Sequence, residues 1–213
     1  MDTNNISTEL FINNSFIKSG KICLGIFAAL NVIAGAVITL NNNNDFLSDY
    51  PIVLIICGMM AVAGFVVGLS GLILFFKGIA GRKKFEAFIA EYGEDAFISE
   101  INNDTLYVYS RKSKPITIIT RKHIFEVGGD IIDPATIDYA YGYSYKGATS
   151  IHAYTLDNKL KTFASSISLH GDEIKSVFQA LRTVNSDVLL GFTHENNKEH
   201  KARVKEYKQN KSL

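Results

Sequence analysis

The residue types in this chain that could carry chemistry are few: His123, His152, His170, His194 and His200, Cys23 and Cys57, and a run of alternating tyrosines. A histidine becomes a base or a metal ligand only when other groups at a workable spacing orient it. His123, His152 and His170 fall in or beside expected strands, with no paired carboxylate or nucleophile at a motif spacing, and His194 and His200 fall in a charged tail. The P-loop, HExxH, GxGxxG and GxSxG patterns are absent, and "VGLSG" at Val67 to Gly71 only mimics the last of them inside an apolar run. The two cysteines make no CxxC or Cys/His spacing for zinc. No catalytic residue, cofactor or metal site is therefore expected, and the chain reads as non-enzymatic. An unrecognised hydrolase would require a polar cleft and an exposed nucleophile beside His123 or His152.

The most unusual local feature is "DYAYGYSYK", from Asp138 to Lys146. On a strand, Tyr139, Tyr141, Tyr143 and Tyr145 share one face, and Ala140, Gly142 and Ser144 the other. Amphipathic rings suit a half-buried sheet face, a membrane-proximal surface, or a strand to which a partner peptide adds.

A split in composition governs what positions these groups. At 213 residues, net charge +1 and 20% charged residues, the whole chain would suit an ordinary soluble domain. Yet from Ile22 to Phe76 the only charged residues are Asp45 and Asp49. Two apolar runs, Ile22 to Leu40 and Ile52 to Phe76, hold 19 and 25 residues. As helices they would measure roughly 28 and 37 Å, against a hydrocarbon core of about 30 Å. A transmembrane hairpin over 22–76 is expected, with spans 22–40 and 52–76 and an outer turn at 41–51. Residues 1–21 form a leader. It is expected to remain, because Val37, Ile38, Thr39 and Leu40 stand where a signal peptide would need small residues for cleavage.

Lys18 and Lys21 precede the first run, and Lys77, Arg82, Lys83 and Lys84 follow the second, whereas the turn has no cation. Retention of flanking cations on the inner side places both termini in the cytoplasm of an inner-membrane protein. Phe46 and Tyr50 suit the outer interface, and Pro51 suits the first position of the second helix.

Small residues recur at spacings of three and four in the second span, at Cys57, Ala61, Gly64, Gly68 and Gly71, and the matching stripe in the first is Gly25, Ala28, Ala29, Val32, Gly35 and Ala36. Such stripes let helices approach closely in lipid. They serve packing of the hairpin on itself or, as the functional alternative, a homo-oligomer or partner contact through Gly64, Gly68 and Gly71. Asn31 at mid-depth is expected to make an interhelical hydrogen bond. A disulfide between Cys23 and Cys57, near opposite leaflets, is geometrically disfavoured. With no ionisable residue in either run, a transport pathway has nothing to work with.

Beyond Gly81, "RKKFEAFIAEYG" has helical spacing, and a second helical piece is expected from Glu94 to Ile101. The period then changes to two. Strands are expected at 105–110, 116–120, 123–127, 136–146, 149–156 and 160–166, with "DNK" a hairpin signal. A helix capped by Asp172 follows, with Ile174, Val177, Phe178, Leu181 and Val184 as its apolar face. Residues 191–213 mix Lys198, Lys201, Arg203, Lys205, Lys208 and Lys211 with Glu195, Glu199 and Glu206. This tail has too few apolar residues to bury and is expected to be a solvated helix or disordered.

The fold class is accordingly α+β: a transmembrane hairpin, then an antiparallel β-sandwich or barrel over 82–190 capped by a C-terminal helix. The run "IITRKHIFEVGGDIIDPATIDYAYGY", with the helix after the last strand, resembles the bacterial pleckstrin-homology-like domain. More narrowly, residues 15 to 190 resemble uncharacterised bacterial membrane proteins that place a two-helix hairpin before such a domain. The bias to Lys over Arg and the abundance of Asn fit an AT-rich, bacterial genome. The resemblance implies a membrane-tethered cytosolic β-sandwich and supplies no site residues. The expected function is a membrane-anchored adaptor or scaffold that binds protein or lipid, its partner or its own copies meeting it through Gly64, Gly68 and Gly71 or through the Tyr139, Tyr141, Tyr143 and Tyr145 face. The alternative is an accessory subunit of a membrane transport or secretion complex, contacting it through the hairpin. Nucleic acid is excluded, since there is neither a net basic surplus nor a stacking motif.

Overall fold

A computed structural model describes residues 8–12, 15–44, 51–111, 114–166 and 170–211. The chain divides into two compact units, one formed by Ile12–Lys83 and the other by Lys84–Leu213 together with Met1–Phe11. Helices α1 (Thr8–Ile12), α2 (Ser15–Asn44) and α3 (Pro51–Tyr92) lead the chain.

The first unit holds α2 and most of α3, two helices long and apolar enough to cross a membrane. Of their most apolar windows only 6% and 17% is buried by the rest of the chain, and Val32, Phe65, Ile73 and Phe76 stand well exposed. Pro51 opens α3 as expected, where its missing N–H costs nothing. Asn41 to Asn44, read from sequence as turn, instead complete the last turn of α2. Phe46, Asp49 and Tyr50 lie outside the described residues. Helix α3 runs on past Phe76 to Tyr92, so the helix expected after Gly81 is its continuation. Gly78 and Gly81 interrupt too weakly to end it, since a glycine costs only about 1 kcal/mol in a helix interior.

Close packing of this hairpin rests on glycine. A Cβ on Gly71 would lie 2.7 Å from Cys23 Cβ, one on Gly68 2.8 Å from the Phe27 ring, and one on Gly20 2.8 Å from the Gly71 carbonyl. The stripe Gly64, Gly68, Gly71 thus faces α2 of the same hairpin. Asn31 departs from expectation: its amide donates to the Phe27 carbonyl of its own helix at 2.8 Å. An intrahelical acceptor one turn back satisfies the group without help from α3. Both cysteines are free thiols.

The second unit is mixed helix and antiparallel sheet. Helix α4 (Glu94–Asp104) leads into β1 (Thr105–Arg111), β2 (Lys114–Thr120), β3 (Ile124–Glu126) and β4 (Ile131–Ile132), which form one sheet in that order. After a 3-10 turn at Pro134–Thr136 come β5 (Ile137–Tyr145), β6 (Ala148–Thr155) and β7 (Leu160–Ser166). Helix α5 (Gly171–Val184), β8 (Leu189–Leu190) and α6 (His194–Lys211) complete the chain. The second sheet has the order β7-β6-β5-β8, with β8 parallel to β5. All six expected strands are present; β4, β8 and the 3-10 turn are too short to carry a period.

Between the sheets lies the core of Ile119, Ile124, Ile137, Ile151, Phe163, Val177 and Leu181, with α5 supplying the last two. Glu126 and Thr117 reach across it. The Ala164 N–H donates to the Glu126 carboxylate at 3.0 Å and to the Thr117 hydroxyl at 3.2 Å, and Ala164 is held there at φ 52° where β7 slips register against β6. The cap of α5 is not Asp172. His170 occupies that position, and its backbone N–H donates to Glu173 at 3.1 Å.

The other face of the first sheet is covered by rings. Phe11 stacks on Phe85 at 4.6 Å and meets Phe97 and Phe125 edge-on at 5.6 and 6.0 Å, itself 2% exposed. A residue from before the first apolar helix is therefore part of a core built by the end of the second and by residues beyond it.

Candidate functional site

Two histidines are paired with buried carboxylates, in different settings. His123 Nδ1 lies 3.0 Å from both oxygens of Glu100, which is 2% exposed and also accepts from the Thr120 hydroxyl. Burial alone would raise the Glu100 pKa, but hydrogen bonds from His123, Thr120 and Tyr92 outweigh it and hold the carboxyl below its ordinary range. Rings of Phe88, Tyr92 and Phe125 surround His123 at 5.1 to 5.4 Å. Thr120, the nearest hydroxyl, is fully buried. This group locks α4 to the turn between β2 and β3.

The second pair is open to a cleft. His200 Nδ1 lies 2.6 Å from Asp138 Oδ2, and the other oxygen of Asp138 accepts from Arg203 at 2.9 Å. Arg203 also donates to the Asp187 carbonyl at 3.0 Å and to Glu199. Burial opposes its charge, yet the bonds to Asp138 and Glu199 prevail and raise its pKa further. Two sequence features build this arrangement. Asn196, His200 and Val204 recur every four residues along α6, so they share the face that meets the sheet. Asn196 donates to the carbonyls of Leu190 and Gly191 at 2.9 and 3.1 Å and pins the helix start. On the strand side, β5 slips register between Ile137 and Tyr139. Such an irregularity breaks strict alternation and brings Asp138 to the same side as Tyr139, against the expected placing.

The tail, expected as a solvated helix or disordered, is a largely exposed helix that is nonetheless docked, with His200 4% and Val204 8% exposed. It docks through hydrogen bonds and one valine, which an apolar count cannot register. Asp138, His200, Arg203 and Phe192 were not singled out as site residues; the spacing of four in the tail was the available signal.

From Tyr139 onward alternation holds. Tyr139 is 2% exposed and Tyr141 half-buried, while Tyr143 and Tyr145 are 43% and 59% exposed at the far end of the β5–β6 hairpin. The inner tyrosines meet Tyr154 at 6.1 and 6.3 Å, nearly parallel, and His152 stacks on Tyr143 at 4.5 Å. Gly142, on the opposite face, leaves room for Ile174 of α5. Burial holds His152 below its ordinary pKa.

Between this face and α6 lies a cleft of about 300 Å³. Its walls are Tyr139, Tyr141, Tyr154, Phe192 and His200, with Lys201, Asn158 and Asn197 among its polar lining. Tyr141 and Phe192 rings sit 4.9 Å apart. Two buried side-chain atoms of this lining have no hydrogen-bond partner among the described residues: Tyr139 Oη and His200 Nε2. Burial, and next the hydrogen bond with Tyr154, push the Tyr141 phenol up to about 12; burial also raises Tyr139, so both keep their protons at neutral pH. With Nδ1–H donated to Asp138, Nε2 is the ring nitrogen of His200 left without a partner among the described residues. No group of three or more potential metal ligands occurs among the described residues.

No family model, curated protein or solved structure matches the chain.

Proposed function

We propose that this protein is a membrane-anchored, non-enzymatic binding module: a two-helix hairpin in the cell membrane that displays a pleckstrin-homology-like domain in the cytoplasm for protein or lipid partners. The observation that carries the topology is Phe11. Packing among Phe85, Phe97 and Phe125 supports a leader and a domain on the same side, the arrangement that two crossings between them give. The cations flanking the apolar runs and missing from the turn give the direction, with both termini inside. The small fraction of the apolar windows covered by protein supports lipid as their surroundings.

The domain reading draws support from two antiparallel sheets around one core with α5 packed across them. Partner contact is assigned to the exposed outer tyrosines, Tyr143 and Tyr145, since Gly64, Gly68 and Gly71 are used inside the hairpin.

Cysteine labelling in intact cells tests the anchor. With Cys23 and Cys57 replaced by Ala, an impermeant maleimide is expected to label Asn43→Cys from outside, and Glu9→Cys and Lys208→Cys only after permeabilisation. Labelling of either terminus in intact cells would sink the topology.

A further inference from the structure

We propose that the cleft between the tyrosine sheet and α6 is a binding site for a small hydroxylated aromatic acid. The site is built from two deep polar atoms, flat walls and one cation. At the bottom lie His200 Nε2 and the Tyr139 hydroxyl, and neither atom has a partner among the described residues although both residues are more than nine-tenths buried. A buried polar group without a partner costs free energy, so a fold tolerates a pair of them where a ligand supplies the missing bonds. One phenolic hydroxyl, which both donates and accepts, bonds the two atoms at once.

The Asp138 carboxylate behind His200 fixes which ring nitrogen faces the cleft, and Arg203 fixes Asp138 in turn. A ring nitrogen held in this way selects ligands that bring a polar group to meet it. Tyr141 and Phe192 provide the faces on which an aromatic ring lies, and such pairs favour offset or tilted rings over any aliphatic of equal size. Among the described residues that line the cleft there is no Asp or Glu, whereas Lys201 is one of them, and this favours a ligand with a negative group. The volume equals about ten waters at ~30 Å³ each, which suits a single substituted ring and is small for a lipid or a peptide.

The test is calorimetric titration of the full chain in lipid nanodiscs with 4-hydroxybenzoate, and with benzoate and phenol as comparisons. Expected are saturable binding of 4-hydroxybenzoate, affinity about tenfold weaker for benzoate, and a similar loss for phenol, each lacking one anchoring group. Tyr139→Phe is expected to bring 4-hydroxybenzoate down to the affinity of benzoate, and Lys201→Gln to bring it down to that of phenol. Both substitutions leave the core volume in place, and circular dichroism checks that each variant is folded. Absence of heat from all three probes with folded protein, equal affinities for 4-hydroxybenzoate and benzoate, or unchanged binding by Tyr139→Phe would each overturn the assignment.

Discussion

Tyr139 and Glu100 are two buried polar residues with opposite consequences for stability. The Tyr139 hydroxyl is sequestered without a partner, so deleting it removes a desolvation cost and little else. Tyr139→Phe is expected to stabilise the ligand-free protein by about 1 kcal/mol, read as a rise in melting temperature of about 3 °C. A fall of that size would mean that the hydroxyl is satisfied in solution. Glu100 is fully engaged, and its folded pKa lies below the ordinary 4.5. A depressed carboxylate contributes stability that is present above its unfolded pKa and lost as pH falls through the folded value. The melting temperature should therefore drop as pH is lowered from about 4.5, and Glu100→Gln should flatten that acid limb while costing stability at neutral pH. Neither role was legible from sequence. His123 and Glu100 are 23 residues apart, joined only because α4 lies across β2, and Asp138 faces His200 only because β5 slips register beside it.

At the scale of elements, period and punctuation carried well and polar docking did not. The strands from Thr105 to Ser166 were readable because each alternates or is bounded by turn residues, and α5 because Ile174, Val177, Phe178 and Leu181 form one stripe. Helix α6 lacked such a stripe. Its attachment rests on the Asp138 and Asn196 bonds and on Val204, so Asp138→Ala is expected to cost about 1.5–3 kcal/mol, the range for hydrogen bonds to charged groups. The measurement is amide hydrogen exchange. Faster exchange is expected in residues 194–211 and β5, with β1 and β2 unchanged, and uniform loss of protection would show that α6 is not a separable element. In the hairpin, Gly68→Leu drives a side chain into the Phe27 ring. Overpacking of that kind costs about 1–3 kcal/mol and should lower the melting temperature in detergent, whereas Gly25→Leu, with open space at its Cβ, should not.

For the whole molecule, the question is which surface meets a partner, and the hairpin glycines are the wrong place to ask it. Because Gly68 and Gly71 already pack against Phe27 and Cys23, substituting them perturbs the anchor itself and would abolish any contact indirectly. Two other surfaces remain open to a neighbour: Tyr143 and Tyr145 at the tip of the β5–β6 hairpin, and the outward apolar face of α3 with Phe65, Val66 and Ile73. An adaptor engages its partner through the first, and an accessory subunit of a membrane complex through the second. Crosslinking in native membranes, followed by mass spectrometry of proteins captured with the full chain, separates them when repeated with two variants. Tyr143→Ser with Tyr145→Ser removes exposed rings without touching the core, and Phe65→Ala with Ile73→Ala trims side chains that are mostly exposed. The proposed function expects capture to fall several-fold with the tyrosine variant and to persist with the hairpin variant. The reverse pattern would place the important contacts on the apolar helices and leave the sheet domain as the part that the complex carries.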